Sequence, residues 1–405
     1  MGHSIYKSRW PLRPLAEVAE INPKRPVEFR SLDEGTMVSF VPMAAVCEKA
    51  GAITGAVSRS FGEVRKGFTY FAEGDVIFAK ITPCMQNGKA AVGLNLVNRI
   101  GFGSTEFHVL RPTKATAEWL YYFVRSKSFR DEAERHFHGS AGQQRVPEEF
   151  MCQALIPDAP ADDQRRVVGR IKECLSRVEE MQRLREEMTL EAEALTNATL
   201  KELWDRDEIA NAPRFSLANL GEITTGNTPS RKVSDYFAET GTPWITPGDM
   251  NATKEIITAR EFLSPRGIAE ARARVLVPNS VAVCCIGATI GKVAIVRQPT
   301  GINQQINAIT FGSRVLPDYG YWACRALYPE ILSNAAQATL PILNKSRFGE
   351  LSIPVPDKEV QQSTATKLDE VLDASLKLKA TALEQAAAEE LLRESILREA
   401  FAGNL

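Results

Sequence analysis

One stretch of this chain occurs twice, and that limits what the chain can fold into. Gln164 to Trp204 reads QRRVVGRIKECLSRVEEMQRLREEMTLEAEALTNATLKELW, and Gln361 to Phe401 reads QQSTATKLDEVLDASLKLKATALEQAAAEELLRESILREAF. A constant offset of 197 lays Gln164 on Gln361, Ile171 on Leu368, Leu175 on Leu372, Leu200 on Leu397 and Trp204 on Phe401. Neither stretch contains proline, and β-branched residues are scattered, so each predicts one long helix. A helix repeated after about two hundred residues implies that what precedes it is repeated too.

The preceding segments match in order. WPLRPLAEVAEIN, predicted as a short helix with Leu15, Val18 and Ala19 on one face, answers to SLANLGEITTGN. MVSFVPM, FTYFAEGDVIFAK, KAAVGLNLV and TEFHVLRP read as strands by their alternation and turn residues, and each has a counterpart between Thr242 and Phe311. The stretch TAEWLYYFVRSKSFRDEAERHF predicts a helix with Trp119, Tyr122, Phe123 and Phe129 inward, answering to LPDYGYWACRAL. The expected class is α+β: two similar mixed α/β domains joined and spaced by two long antiparallel coiled-coil helices, with a pseudo-twofold internal repeat. The expected boundaries are 1–160 for the first domain, 161–208 for the first long helix, 209–356 for the second domain and 357–405 for the second long helix.

Forty helical residues span about 60 Å at 1.5 Å each. An apolar stripe of that length needs a partner, and each helix is the other's most economical one. In the first helix the stripe is expected to run through Val168, Ile171, Leu175, Val178, Met181, Leu184, Met188, Ala192, Leu195, Thr199 and Leu203. Its mean step is near the 3.5 residues of a coiled coil, with a stammer between Val178 and Leu184.

Charge is unevenly shared. Residues 161–210 and 357–405 each carry a net −4, so the remainder carries +7 against a chain total of −1. A basic globular part suits phosphate contacts. Seven cysteines, an odd number with no CxxC pair, fit a reduced, cytoplasmic protein without structural zinc. No apolar run reaches membrane-spanning length, and the start has neither a signal-peptide core nor, with Tyr6, a myristoylation signal.

Catalytic motifs are incomplete or absent in the sequence. GATIGKV is one residue short of a phosphate-binding loop and has Val after Lys. No methyltransferase or nuclease signature occurs. His136 and His138 lack further ligands at metal spacing, and His108 in STEFHVL reads as a core histidine. The chain therefore reads as a binding module with no catalytic residues, no metal and no cofactor of its own.

Two loop classes recur at corresponding places and carry side chains able to read or clamp DNA. The first holds Lys80, Thr82, Gln86, Asn87 and Lys89, answered by Thr289 and Lys292. The second holds Gln143, Gln144 and Arg145 within Gly139 to Arg145, answered by Asn344 and Lys345 within Thr339 to Lys345. The second repeat adds Thr225, Thr228, Ser230 and Arg231, together with Gln304 and Gln305. These are the candidate DNA-binding residues.

These stretches carry a resemblance. GDVIFAKITPCMQNGKAAV, GSTEFHVLRP and GSAGQQRVP in the first repeat, and GNTPSRK, TPWITPGDM, GATIGKVAIV, INQQINAI and SIPVPDKEVQ in the second, resemble the DNA-specificity subunits of type I restriction-modification enzymes over essentially the whole chain. The resemblance implies two target-recognition domains, each reading half of a gapped double-stranded DNA site, held apart by the paired helices. It implies a non-catalytic scaffold for two methyltransferase (modification) subunits, joined by restriction (translocase) subunits. S-adenosylmethionine, ATP and magnesium would belong to those partners. Adding one turn to both helices is expected to lengthen the gap and leave the half-sites unchanged. Leu200, Leu203, Trp204, Leu397 and Phe401, large apolar residues at the helix ends, are the expected partner contacts. The competing reading is a coiled-coil adaptor without sequence-specific DNA binding.

Overall fold

The computed structural model describes residues 8–140, 143–250, 253–256, 258–335 and 342–405. Expectations that fall on Tyr6, Ala141, Gly142 and Thr339 to Pro341 lie outside these. The chain divides into two units, residues 1–184 with 384–405, and residues 185–383. Each is an α/β domain that takes half of each long helix. The helices run over Ala161–Trp204 and Lys358–Ala402, as the repeat predicts.

In the first unit a four-stranded antiparallel sheet takes the order Ala19–Ile21, Phe107–Pro112, Val76–Ala79, Ala90–Val92. A second sheet takes the order Val57–Ser60, Met37–Val41, Ile100–Gly103, Thr69–Ala72, its middle pair parallel. The strand VIFA explains the layering. All four residues are buried, which an unbroken apolar run signals. Val76 and Phe78 pack into the core shared with the helices, while Ile77 and Ala79 pack into the core beneath the second sheet. The first sheet is therefore a wall between two cores.

The second unit repeats this wall. Its sheet takes the order Gly221–Thr225, Ile306–Phe311, Val281–Cys284, Val293–Ile295. Val281 and Val283 face the helix side, and Ala282 and Cys284 the other. A five-stranded sheet again contains one parallel pair, Thr242–Ile245 with Thr300–Ile302.

Two predicted helices take other forms. The opening segment is a single 3-10 turn, Leu15–Glu17, between short strands Leu12–Pro14 and Ala19–Ile21. Pro11 and Pro14 lack the N–H groups a longer helix would use. The Trp119 stretch breaks into Ala117–Arg125 and Lys127–Arg135. Ser126 between them is extended (φ −62°, ψ 140°), and its hydroxyl accepts from the Phe129 N–H, capping the second helix.

The long helices pair antiparallel. In the first unit Val168 and Ile171, near the start of the first helix, share a core with Ala400 and Phe401 at the end of the second. In the second unit Leu200 and Leu203 share a core with Ala365, Leu368 and Leu372. The covered positions step by four and three throughout: Gln164, Val168, Ile171, Leu175, Val178, Gln182, Arg185, Thr189, Ala192, Thr196, Thr199 and Leu203. Adding 197 to each gives the covered series of the second helix, from Gln361 to Ala400.

This corrects the expected stripe. Met181, Leu184, Met188 and Leu195 stay 45–58% exposed, and no stammer exists. The heptad keeps its register by passing through polar side chains mid-helix. There Arg393 donates to Gln182 Oε1 at 3.0 Å in the first unit, and Lys379 pairs with Glu193 in the second. Apolarity alone pointed to the wrong face, because in an antiparallel pair long polar side chains can cover the seam and keep their heads bonded.

Each helix carries in its first turn a glutamine that ties it to its own domain. Gln164 Oε1 accepts from Thr116 N–H at 2.8 Å, and its Nε2 donates to Ala159 O. Gln361 Oε1 accepts from Leu316 N–H at 2.9 Å, and its Nε2 donates to Pro356 O and Arg314 O. The second helix stops at Gly403, whose φ of +89° is open to glycine and strained for other residues.

Candidate functional site

The recurring loops gather at one edge of each wall sheet, where the backbone repeats almost bond for bond. The Ala79 N–H donates to Lys89 O and the Cys284 N–H to Lys292 O, at 2.9 and 2.8 Å. The Lys80 N–H donates to Glu106 O and the Cys285 N–H to Gln305 O, again at 2.9 and 2.8 Å. The Val146 N–H donates to Lys80 O and the Leu343 N–H to Cys285 O, at the same two distances. Position 80 thus corresponds to 285, 106 to 305 and 146 to 343.

This frame sorts the predicted residues. Gly88 and Gly291 both turn the chain with positive φ, and the lysine after each reaches inward. The Lys89 ammonium donates to Met43 O at 3.3 Å, and that of Lys292 to Pro247 O at 3.2 Å. The repeated Gly-Lys pair therefore ties the hairpin to the neighbouring loop. Its recurrence has a structural cause.

Others are also engaged within the chain. Thr225 donates to Asn307 Oδ1 at 2.6 Å, and Thr228 to Gln304 Oε1. Thr289 lies 3.4 Å from Cys284 Sγ. The Ser230 hydroxyl accepts from Lys232 N–H, and Gln305 Oε1 accepts from Asn303 Nδ2. Asn344 caps the helix Lys345–Glu350 through the Arg347 N–H at 3.0 Å. Arg231 forks onto Glu261 and lies over the rings of Phe237 and Trp244. Asn87 donates to Glu48 at 3.2 Å, and Gln86 O accepts from Arg130. Gln144 O accepts from the Thr82 N–H, while the Thr82 hydroxyl is buried without a partner. Gln86, Gln143 and Lys345 present exposed side chains.

In the first repeat the frame holds a charged cluster. Arg145 forks onto Glu106, both bonds 2.9 Å, and also donates to Gln143 O. Hydrogen bonds from Arg145, with the charges of Arg145 and Lys80, hold the Glu106 carboxyl below its ordinary value. Lys80 lies half-buried where two adjoining depressions meet. One, of about 550 Å³, includes Lys24, Arg25 and Tyr70, and the other, of about 420 Å³, includes Arg145, His138 and Gly139. Glu106 escaped the sequence reading because it sits in a strand-like run. Its correspondence with Gln305 shows only in the backbone bonds.

His108 is buried, as its apolar run predicts, and burial pushes its pKa down from 6.5. Its Nε2 donates to Val146 O at 2.8 Å and its Nδ1 accepts from Asn22 Nδ2 at 3.2 Å, which fixes the neutral tautomer. In the second repeat Asn307 donates to Leu343 O at 3.1 Å in its place. A histidine with a depressed folded pKa supports the fold fully above its unfolded value of about 6.5, and support falls as pH drops below that. The first unit is expected to lose up to about 1.4 kcal/mol per pH unit there. A His108→Asn variant should flatten that slope in denaturant titrations between pH 8 and pH 5. An unchanged slope would refute the assignment.

Of the residues expected to meet partners, Leu200, Leu203 and Phe401 are buried, and Trp204 and Leu397 are partly covered. Phe401 is fully buried, 4.6 Å from the Trp119 ring and 5.7 Å from Phe123. Trp204 stacks on Tyr319 at 5.5 Å. Leu200 and Leu203 are buried, and Leu397 packs on the first unit's core. These side chains hold the helix ends to their domains, and the buried Leu200, Leu203 and Phe401 offer an outside partner no surface. Among the described residues no group of three metal-ligand side chains occurs, and no helix is long and apolar enough to cross a membrane.

Two α/β domains of the same frame, linked by two long helices, define a tandem two-domain architecture. A solved structure of the HsdS subunit from Thermoanaerobacter tengcongensis shares it, with TM-score 0.67 at 22% identity over 98% of this chain and 97% of that one. A chain solved in work on complex assembly and conformational transition of the type I R-M system shares it with TM-score 0.81, also at 22% identity, over 98% of each chain. Residues 213–387 match the family described as type I restriction modification DNA specificity domain. The EcoEI specificity subunit of Escherichia coli is 39% identical over 162 residues, covering 40% of this chain and 27% of that protein. The EcoAI specificity subunit, also of Escherichia coli, is 37% identical over 175 residues, covering 43% and 29%. The matched stretches span less than a third of the length of these two relatives. Part of the chain is thus similar to specificity subunits of type I restriction-modification enzymes, and the shared fold extends over nearly all of it.

Proposed function

We propose that this chain is the non-catalytic DNA-reading subunit of a type I restriction-modification complex, each domain reading one part of a two-part, gapped double-stranded target. The observation that carries this is the duplicated loop frame. The same backbone bonds recur in both domains while the side chains set on them differ, which suits two readers of different half-sites. The recognition surface in each domain is the loop-bearing sheet edge, with Lys80 and Arg145 in the first, and Gln304, Gln305 and Lys345 in the second.

Two modification subunits would dock on the exposed apolar side chains of the long helices. The first unit presents Met181, Leu184, Leu391 and Leu392, and the second Met188, Leu190, Leu195 and Leu383. Leu195 and Leu392 stand at corresponding positions of the repeat, as two copies of one partner require. S-adenosylmethionine, ATP and magnesium would be bound by the partner subunits, and restriction subunits would join through them.

Selection from a random DNA pool, using the chain co-expressed with a type I modification subunit, is expected to return one gapped site. Leu392→Glu is expected to reduce two bound modification subunits to one. A single continuous short site would refute the two-reader proposal. Unchanged stoichiometry would refute the docking surface.

A further inference from the structure

The two repeats supply an internal control for which side chains the fold itself requires. Where backbone bonds coincide, the frame accepts either residue. Three such positions differ together. Lys80, Glu106 and Arg145 occupy them in the first repeat, and Cys285, Gln305 and Ile342 in the second. The third correspondence rests on the bridges from Ile81 to Arg145 and from Ile286 to Ile342. One set is fully ionic, the other fully neutral.

The ionic set is not spread over the surface. Arg145 and Glu106 are joined by two 2.9 Å bonds, with side chains 40% and 25% exposed. Lys80 and Arg145 line the same depression. Two donors and one acceptor are thus held together at an open loop edge, although the second repeat builds the same backbone frame without them.

Resting on the DNA-reading proposal, we infer that Lys80, Glu106 and Arg145 form the base-reading cluster of the first domain, and that its target is a G·C pair. In the major groove guanine presents two acceptors, O6 and N7, and its partner cytosine presents the N4 amino donor. Lysine and arginine donate to the former, and the carboxylate accepts from the latter. The bond between Arg145 and Glu106 keeps donor and acceptor side by side before DNA arrives. The second domain has no ionic counterpart, so its half-site is read without this cluster.

The test is selection from a random pool with the full chain, co-expressed with a modification subunit. Wild type is compared with the triple variant Lys80→Cys, Glu106→Gln, Arg145→Ile and with Glu106→Gln alone. The triple variant carries the second repeat's residues, so its backbone frame is one the chain already uses. Wild type is expected to select a gapped site with a fixed G·C pair in one half. The triple variant is expected to lose roughly tenfold or more of that preference and to keep the other half-site, which also reports that it is folded. Glu106→Gln is expected to relax the same position alone. A wild-type site with both variants unchanged overturns this inference and leaves the DNA-reading proposal standing. Failure of the wild type to select any two-part site overturns both. Loss of both half-sites in the triple variant, with Glu106→Gln unchanged, also overturns the inference.

Discussion

Phe401→Ala is expected to destabilise the first unit by about 3–5 kcal/mol, the usual cost of emptying a buried aromatic site. Phe401 is fully buried and lies against Trp119 and Phe123, which belong to the domain helix Ala117–Arg125. The Trp119 indole N–H already donates to Pro157 O at 3.1 Å, so that ring cannot swing to fill the space. The cavity would persist, and persistence is what makes such substitutions costly. The chain has two units, so two denaturation transitions are expected, and only the first unit's should move. Hydrogen exchange resolved to residues 117–125 would report it. A shift confined to residues 185–383 would contradict the packing described here.

Gln361→Met should act on the other unit. Methionine keeps the length of the side chain and removes its hydrogen bonds. Three bonds go: one from the Leu316 N–H, and those to Arg314 O and Pro356 O at 3.0 and 2.8 Å. Gln361 is 1% exposed, so water cannot replace them. Leaving buried backbone groups unsatisfied costs about 1–3 kcal/mol each, so a loss of roughly 3 kcal/mol or more is expected for the second unit. Gln164→Met, which removes two bonds in the first unit, should cost less. If Gln164→Met proves the more damaging, hydrogen bonding is not what these glutamines supply.

The glutamines also show how much was legible in the sequence. Their recurrence at an offset of 197 marked the start of each long helix, and the helices, the duplicated domains and the strand VIFA all followed from pattern. The coiled-coil seam did not follow at mid-helix. Met181, Leu184 and Met188 are more apolar than Gln182, Arg185 and Thr189, yet the polar set lies on the seam, because register is fixed by the helix as a whole. Most of the candidate DNA-binding residues do lie in loops, but Thr225 ends a strand and Lys345 opens a helix, and their roles are not separable from type alone. Lys89 and Lys292 recur because a carbonyl needs a donor. Lys80 does not recur, and only a comparison of the two backbones shows that the fold can do without it. Phe401 was read as a surface because nothing in sequence shows that Trp119 waits for it.

The partition of the helices bears on synthesis. Residues 185–383 form one uninterrupted unit, whereas the other unit needs residues 384–405 as well. A ribosome therefore delivers everything the inner unit requires before the outer one can close. Until Phe401 emerges, Trp119 and Phe123 lack their cover, and the Arg9 N–H lacks the Ala402 carbonyl that later accepts from it at 3.0 Å. Of the two domains, the one translated earlier is finished later. During that interval it holds an open apolar slot that one returning helix is shaped to fill.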